Sequence, residues 1–183
     1  MHAASEQMTG TSLQALLEAG ALAGEWVLDP RRSSVRLVSK VLGFVPVNGV
    51  FSEVSGSGVV SPDGEMSGTL TVIAGSIDTR NTRRDTHLRS ADIFDSGNHP
   101  HITFTAEAIR PSGRCIAVTG ALTVRGCTRP LSLDAVATVQ GAGEIWLDAE
   151  ARVNRAAFGL TWKSDWVASM ISTLTIHAVF ARP

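Results

Sequence analysis

From Trp26 onward, apolar residues recur at every second position in one segment after another. Because successive side chains of a β-strand point to opposite faces, a period of two predicts half-buried strands with one apolar face each. The pattern is clearest at residues 102–108, 116–124, 131–139, 145–153 and 174–180. Most of the chain is therefore expected to be all-β.

Turn-forming residues separate these runs where a hairpin must reverse, as at 61–64, 111–113 and 141–143. Short connections give a meander, and about eight antiparallel strands close most easily into an up-and-down β-barrel without open edges. The same periodicity is compatible with a two-sheet sandwich. With 183 residues, 44% of them hydrophobic, the chain has enough apolar surface for one core. We expect one β domain at 24–183 after an N-terminal extension at 1–23.

The extension has helical rather than strand periodicity. A short amphipathic helix is predicted over about residues 11–22, after the capping pair Thr11-Ser12, from the spacing of Leu13, Leu16, Leu17 and Ala21. We expect it to pack on the outside of the barrel, because its polar face has no Lys or Arg to attract anionic headgroups. A lid over the barrel mouth and a disordered segment are the alternatives. No export signal or membrane span is recognisable here, so the sequence predicts a cytoplasmic location.

Charge and motif content argue against several function classes. Sixteen basic and seventeen acidic residues give a net charge of −1, so the sequence predicts no electrostatic footprint for nucleic acid or an anionic membrane. Neither nucleic-acid binding nor stable membrane insertion is expected. Cys115 and Cys127 have no metal or disulfide spacing and are expected to be free, mostly buried thiols. His99 and His101 lack a third ligand nearby, so no metal is predicted. No nucleophile elbow or phosphate-binding loop occurs, and we predict no catalytic residue and no cofactor.

A charge-dense segment interrupts the strand pattern at residues 83–95 and is predicted to be helical near 81–92. It resembles the signature of the YceI-like family, Arg-Asp-x-His-Leu-x-Ser-x-x-Phe-Phe-Asp, which is followed in this chain by the Pro-x-Ile-x-Phe strand at 100–104. Further matches run in order over residues 24–181. They are the opening strand at 24–30, the strand at 76–79, the hairpin at 120–130 and the Asn-Arg-x-x-Phe-Gly segment at 154–159.

This resemblance implies a lipocalin-like barrel from a bacterial family whose members hold a long apolar molecule in the interior. The typical ligand is a polyisoprenoid, such as an isoprenoid quinone or a prenyl phosphate, bound for transport, storage or sequestration. Binding rather than catalysis is the implied activity, and homodimers occur in the family. One departure is Val41, which stands where many members have a histidine and which favours a less polar headgroup.

Several apolar faces carry small side chains, namely Ala106, Ala108, Ala135, Ala137, Ala149 and Ala151. If they point inward, they leave volume that a ligand can fill; otherwise they lie under helices or opposite bulky side chains. Both interpretations are open from the residues alone. The candidate cavity wall consists of Leu37, Phe44, Phe94, Phe104, Leu122, Leu133, Leu147, Phe158, Trp162, Leu174 and Ile176.

Polar residues of the charged segment and of the 154–159 motif are candidates for binding a ligand headgroup, since guanidinium groups match phosphate oxygens in a bidentate fashion. These candidates are Arg83, Asp85, His87, Asn154 and Arg155. The alternative is structural: Asp85 pairs with an arginine and fastens the helix over one end of the barrel.

Two other functions remain compatible with the sequence. The first is a solid barrel that acts as a protein interaction module or homodimer, with Trp162 and Trp166 at the interface. The second is an enzyme that acts on a bound lipid with His87 and Asp85 as an acid/base pair, although no residue demands it.

Overall fold

The computed structural model describes residues 13–41, 44–112, 115–141, 143–160 and 168–183. These residues form two α-helices, α1 (Leu13–Glu18) and α2 (Thr82–Arg89). They also form eleven strands: β1 (Gly24–Leu28), β2 (Ser34–Val41), β3 (Val45–Phe51), β4 (Val54–Val60), β5 (Met66–Ile73), β6 (Ile77–Asp78), β7 (His101–Ser112), β8 (Cys115–Val124), β9 (Cys127–Gln140), β10 (Glu144–Asn154) and β11 (Ala168–Ala181).

The strands form one closed antiparallel barrel. Six of them are the halves of three long, interrupted strands: β1 with β2, β3 with β4, and β5 with β6. In each case the two halves pair with the halves of the neighbouring strand, as β1 does with β4 and β2 with β3. Strand β11 closes the ring by pairing with both β1 and β2. The result is an eight-stranded up-and-down meander, which confirms the predicted barrel over the sandwich.

Alternating connections give the barrel two distinct ends. At one end, which we call the α1 end, lie α1, the β4–β5 turn at 61–65 and the last residues of β11. At the other, the α2 end, lie the tip of the β2–β3 hairpin, the segment 79–100 that contains α2, the β8–β9 turn at 125–126 and the short 3-10 helix Arg155–Phe158. The predicted charged helix thus covers the α2 end.

A bulge in β7 changes the register between Ala106 and Ala108 opposite β8. Gly120 faces it, and a Cβ at that position would lie 2.1 Å from the carbonyl oxygen of Thr105. Only glycine allows so close an approach of the two backbones, and such bulges bend a strand locally. The wall of the barrel therefore curves at the level of Phe104 and Ala106.

The apolar core is divided along the barrel axis into two clusters. Buried members of the first, towards the α2 end, include Phe51, Ile77 and Phe94, with the Phe51 and Phe94 rings in edge-to-face contact at 6.1 Å. The second cluster, at the α1 end, is centred on Leu22 and Trp26. The interior is thus not packed as one continuous unit.

Helix α1 is shorter than predicted within the described residues, and residues 1–12 lie outside them. It ends at Glu18 and is followed by a turn at Gly20, whose positive φ of 65° suits a glycine. The Gly20 and Ala21 amides donate to the carbonyls of Leu17 and Leu16. Leu13 and Leu17 are buried in the cluster at the α1 end.

Candidate ligand-binding site

The barrel contains a cavity of about 150 Å³ at the α1 end. Four of the six alanines singled out from the sequence line it, together with Ala178; the four are Ala106, Ala135, Ala137 and Ala149. Larger apolar side chains complete the wall, among them Ile109, Ile116, Val118, Ile145, Leu147 and Phe180. Small side chains on inward faces therefore leave unfilled apolar volume, as one of the two interpretations of the sequence held.

The N-terminal segment closes this cavity. Leu13, Leu22 and Trp26 line it, and the Trp26 indole N–H donates to the Leu22 carbonyl at 3.0 Å. Near the C terminus, the Arg182 guanidinium stacks on the Trp26 ring at 4.9 Å and donates to the carbonyls of Ala21 and Ala23. The segment is thus part of the cavity wall. The expectation that it packs on the outside of the barrel does not describe these residues, because the barrel mouth is where their apolar surface can be buried.

A second cavity, of about 160 Å³, lies at the α2 end. Its wall is also mostly apolar, but it includes the side chains of five polar residues, Ser39, Thr79, Arg84, Arg155 and Ser172. Side chains from β2, β3 and α2 contribute to it, among them Leu37, Val47 and Leu88. Polar groups for orienting a ligand are therefore concentrated at this end.

Four side chains line both cavities and form the partition between them: Leu70, Phe104, Leu133 and Ile176. Phe104 sits beside the β7 bulge, and its ring would lie 3.0 Å from a Cβ at Gly120. A ligand that extends through both cavities must therefore displace side chains of this partition, and Phe104 is the largest of them.

Arg84 is positioned by the start of α2. Asn81 caps the helix by accepting the Arg84 amide at 3.0 Å. The Arg84 side chain donates from Nε to Thr79 Oγ1 at 2.7 Å and from Nη2 to the Thr79 carbonyl at 2.8 Å. Asp85 in turn accepts the Thr79 hydroxyl at 2.5 Å and the Thr79 amide at 3.0 Å. These bonds hold a guanidinium group at the wall of the second cavity.

Arg155 enters the same wall from the other side of the barrel end. Asn154 accepts the Ala156 amide at 3.0 Å and so starts the 3-10 helix that carries Arg155, and Gly159 ends it with a φ of 71°. Burial lowers the pKa of Arg155 from its usual value, because desolvation disfavours the charged form. An anion in the cavity would offset that desolvation.

Nine of the eleven predicted wall residues line a cavity. They are Leu37, Phe94, Phe104, Leu122, Leu133, Leu147, Phe158, Leu174 and Ile176. Phe44 does not, since its side chain is 75% exposed at the tip of the β2–β3 hairpin. Trp162, Trp166 and the side chain of Val41 lie outside the described part of the chain.

Of the five predicted headgroup residues, Arg155 alone lines a cavity. Arg83 is exposed, and His87 and Asn154 lie outside the cavity wall. Asp85 is buried and accepts hydrogen bonds from Thr79. This is a structural role, as in the alternative that Asp85 fastens the helix, but its partner is a threonine rather than an arginine. Sequence reasoning missed Arg84. Leu88 is the signal that could have found it, because residues four apart share a helix face and Leu88 lines the cavity.

One smaller expectation can be compared with the structure. Both cysteines are free thiols, but Cys115 is exposed rather than buried because it borders the β7–β8 turn. Within the described ranges, no group of three or more His, Cys, Asp or Glu side chains is arranged to hold a metal ion. No helix in the described part of the chain has the length and apolar character needed to cross a bilayer.

A closed eight-stranded antiparallel barrel with two apolar internal cavities, one of which has polar residues in its wall, defines the class of this protein. The model of the YceI-like domain matches residues 26–180, and the chain belongs to this family. A UPF0312 protein of Pectobacterium carotovorum is 32% identical over 136 residues, which cover 72% of this chain and 71% of the relative.

Solved structures show the same fold. The crystal structure of Burkholderia cenocepacia BcnA superposes with a TM-score of 0.76 at 26% identity, over 83% of this chain and 98% of that one. A domain from Saccharophagus degradans, described as polyisoprenoid-binding and implicated in plant cell wall breakdown, superposes with a TM-score of 0.74 at 17% identity, over 86% of this chain and 98% of that one.

Proposed function

We propose that the barrel binds a polyisoprenoid lipid, such as an isoprenoid quinone or a prenyl phosphate, for transport, storage or sequestration and without catalysis. The observation that carries the proposal is the pair of apolar cavities that follow one another along the barrel axis and share the partition at Phe104. A long, linear chain of isoprene units has the shape to occupy both cavities. The cavities favour ligand binding over a solid barrel that acts only as an interaction module.

Hydrophobic transfer is sufficient to drive such binding. Each methylene group moved from water into an apolar cavity contributes about 0.8 kcal/mol before the costs of association and ordering are subtracted. The cavity at the α1 end is lined almost entirely by hydrocarbon side chains, so it selects for an apolar chain rather than for a particular functional group. Affinity there depends on length and shape.

The two arginines of the second cavity give the ligand a direction. Arg84 and Arg155 line the cavity at the α2 end, whereas the wall at the α1 end contains no charged side chain among the described residues. A polar or anionic head therefore lies at the α2 end, and the hydrocarbon tail points towards Trp26. Guanidinium groups favour phosphate or a quinone carbonyl as the head.

Native mass spectrometry of the purified protein, followed by organic extraction and identification of released lipid, tests the function directly. The expected result is a stoichiometric isoprenoid, or uptake of an added prenyl lipid that is detected by a change in intrinsic tryptophan fluorescence. A protein that is empty as purified and also refuses added prenyl lipids would contradict the proposal and favour the interaction module.

The direction of the ligand is tested with a prenyl phosphate and a prenyl alcohol of equal chain length. Arg84→Gln should weaken binding of the phosphate about tenfold or more, because a hydrogen bond to a charged group contributes about 1.5–3 kcal/mol. Binding of the alcohol should change little. Arg83→Gln is the matched control, since Arg83 is exposed on the same helix. Equal losses for both lipids in Arg84→Gln would contradict the proposed orientation.

A further inference from the structure

Exposed apolar side chains cluster at the α2 end and form what we call the apolar rim: Phe44, Val45, Met170 and Ile171. Phe44 is 75% exposed and Met170 50%. The first two lie in the β2–β3 hairpin, and the other two lie in the stretch of β11 where its register with β2 shifts. Since β2 pairs with both β3 and β11, the rim borders the same edge of the barrel from two sides.

Exposed basic side chains lie at the same end of the barrel as the rim. Six exposed ones, which we call the basic collar, belong to the α2 end: Lys40, Arg80, Arg83, Arg89, Arg129 and Arg152. In the described part of that end, Asp78, Asp92 and Glu150 are exposed carboxylates, Asp95 is half-buried, and Asp85 is buried in its bonds to Thr79. The net charge of −1 for the whole chain conceals this concentration of positive charge.

The opposite end has the reverse character. Glu18, Glu25, Asp63 and Glu65 belong to the α1 end. Of the basic residues there, Arg32 is paired with Glu144, Arg182 is engaged with Trp26 and with the carbonyls of the N-terminal segment, and Arg110 is exposed. The molecule is therefore electrostatically polarised along the barrel axis, which orients it in front of a charged surface.

We propose that the α2 end docks on the surface of an anionic lipid bilayer, with the apolar rim in the headgroup region and the basic collar facing the lipid phosphates. Exposed aromatic and aliphatic side chains beside a ring of Lys and Arg are the combination that binds such a surface. Ser39 and Val47, which belong to the strands of the rim, also line the second cavity. Docking therefore places that cavity at the membrane surface, where a lipid can exchange.

Charge selects the bilayer over a second copy of the chain as the occupant of this surface. A twofold dimer through the α2 end would bring the same patch of each copy together. The basic collar of one copy would then face the collar of the other, which is repulsive. An anionic bilayer supplies the opposite charge and accepts the apolar side chains.

Vesicle flotation tests the docking with the full chain, using phosphatidylcholine vesicles and vesicles that also contain phosphatidylglycerol. The protein is expected to bind the anionic vesicles, and this binding should weaken as the salt concentration is raised. Binding to vesicles of phosphatidylcholine alone should be at least tenfold weaker. Absence of binding to the anionic vesicles, or equal binding to both kinds, would overturn the proposal.

Matched variants locate the surface. Arg83→Glu combined with Arg129→Glu should lower the vesicle partition at least about 25-fold, at about fivefold for each basic residue removed from an anionic surface. Arg110→Glu, a charge reversal on an exposed arginine near the α1 end, should change it less than about threefold.

Phe44→Asp should lower the vesicle partition about tenfold, whereas Val136→Asp, at an exposed position on the outer face of β9, should not. Equal losses in target and control variants would overturn the assignment.

The docking proposal rests on the exposed apolar and basic side chains of the α2 end, whereas lipid exchange at the membrane rests on the proposed function. Vesicle binding and lipid uptake are therefore measured on the same samples. Vesicle binding by a protein that takes up no prenyl lipid would leave docking standing and remove the exchange. Lipid uptake without vesicle binding would overturn docking alone. A concentration-dependent dimer that Phe44→Asp abolishes, in a protein that ignores vesicles, would assign the surface to self-association instead.

Discussion

The two ends of the barrel enclose cavities of similar size but are built from different chemistry. At the α1 end, the wall is hydrocarbon and the closure depends on Trp26 and the segment that Arg182 holds in place. At the α2 end, the wall includes Arg84 and Arg155, and the closure depends on the hydrogen bonds of Thr79 and Asp85. One barrel thus combines a cavity with a hydrocarbon wall and a cavity whose wall includes polar side chains.

The comparison shows how one fold separates affinity from orientation. Apolar burial is non-directional and scales with area, so under the proposed function the α1 end would set the affinity for a chain but not its orientation. Hydrogen bonds and charge depend on geometry, so under the proposed function the α2 end would determine the orientation of the ligand and the nature of its head. Predictions that affect only one end therefore test whether the two ends are independent.

Trp26→Ala should have the largest effect on stability. Trp26 is 2% exposed and packs at the centre of the cluster at the α1 end, so its removal should lower the free energy of unfolding by about 3–5 kcal/mol. Urea unfolding provides the measurement. Val27→Ala, at the adjacent, outward-facing position, is the control and should lower it by less than about 1 kcal/mol. Equal losses would mean that Trp26 does not close this end.

Asp85→Asn should destabilise the α2 end by about 2–3 kcal/mol, because a buried carboxylate that accepts two hydrogen bonds from Thr79 is replaced by a neutral amide. Hydrogen exchange should increase in α2 and leave the amides of β1 protected. The exposed Asp92→Asn serves as the comparison and should be close to neutral. Loss of protection at both ends would show that the ends are coupled.

Ala149→Trp should fill the cavity at the α1 end. Overpacking should lower stability by about 1–3 kcal/mol, and the content of extractable prenyl lipid should fall while the fold survives. Glu150→Trp places the same side chain on the outward face of β10 and should leave lipid content unchanged. Lipid content that Ala149→Trp does not alter would show that the chain does not reach the α1 cavity.

Glu144→Gln should have the smallest effect, because it changes an exposed contact outside both cavities. The hydrogen bonds from Arg32 and then Trp146 lower the pKa of Glu144 to about 2 from an ordinary value of 4.5. A lowered pKa in the folded state means that the stabilisation is present above about pH 4.5 and is lost as the pH falls towards 2. Thermal melts of the wild type and Glu144→Gln should differ at pH 6 and converge near pH 2; a constant difference would contradict this.

Strand periodicity made most of the barrel predictable. A strand has only two faces, so alternation identifies which residues point inward, and nine of the eleven predicted wall residues line a cavity. Phe44 is the exception that the structure describes, since it lies at a hairpin tip where alternation no longer assigns a face. The empty volume beside Ala149 was likewise foreseeable from residue size, although only as one of two interpretations.

Headgroup residues were less predictable because they depend on the phase of a helix and on what packs against it. Arg83 and Arg84 are adjacent and chemically identical, and the Asn81 cap together with Leu88 turns Arg84 rather than Arg83 towards the cavity. Consecutive residues of an α-helix are rotated by about 100° around its axis, so Arg84 can line the cavity while Arg83 faces solvent. The family motif identified the helical segment but not which of its residues face the cavity.

By itself, the sequence determined that the chain forms a strand meander with one apolar face per strand, because that information is local and repeats every two residues. Only the tertiary structure decided that the interior is partitioned at Phe104, that the N-terminal segment joins the wall at the α1 end, and that basic and apolar side chains collect around the α2 end. Those features arise where residues far apart in the chain meet. Closure of the barrel brings these residues together, and no local sequence pattern predicts which of them will meet.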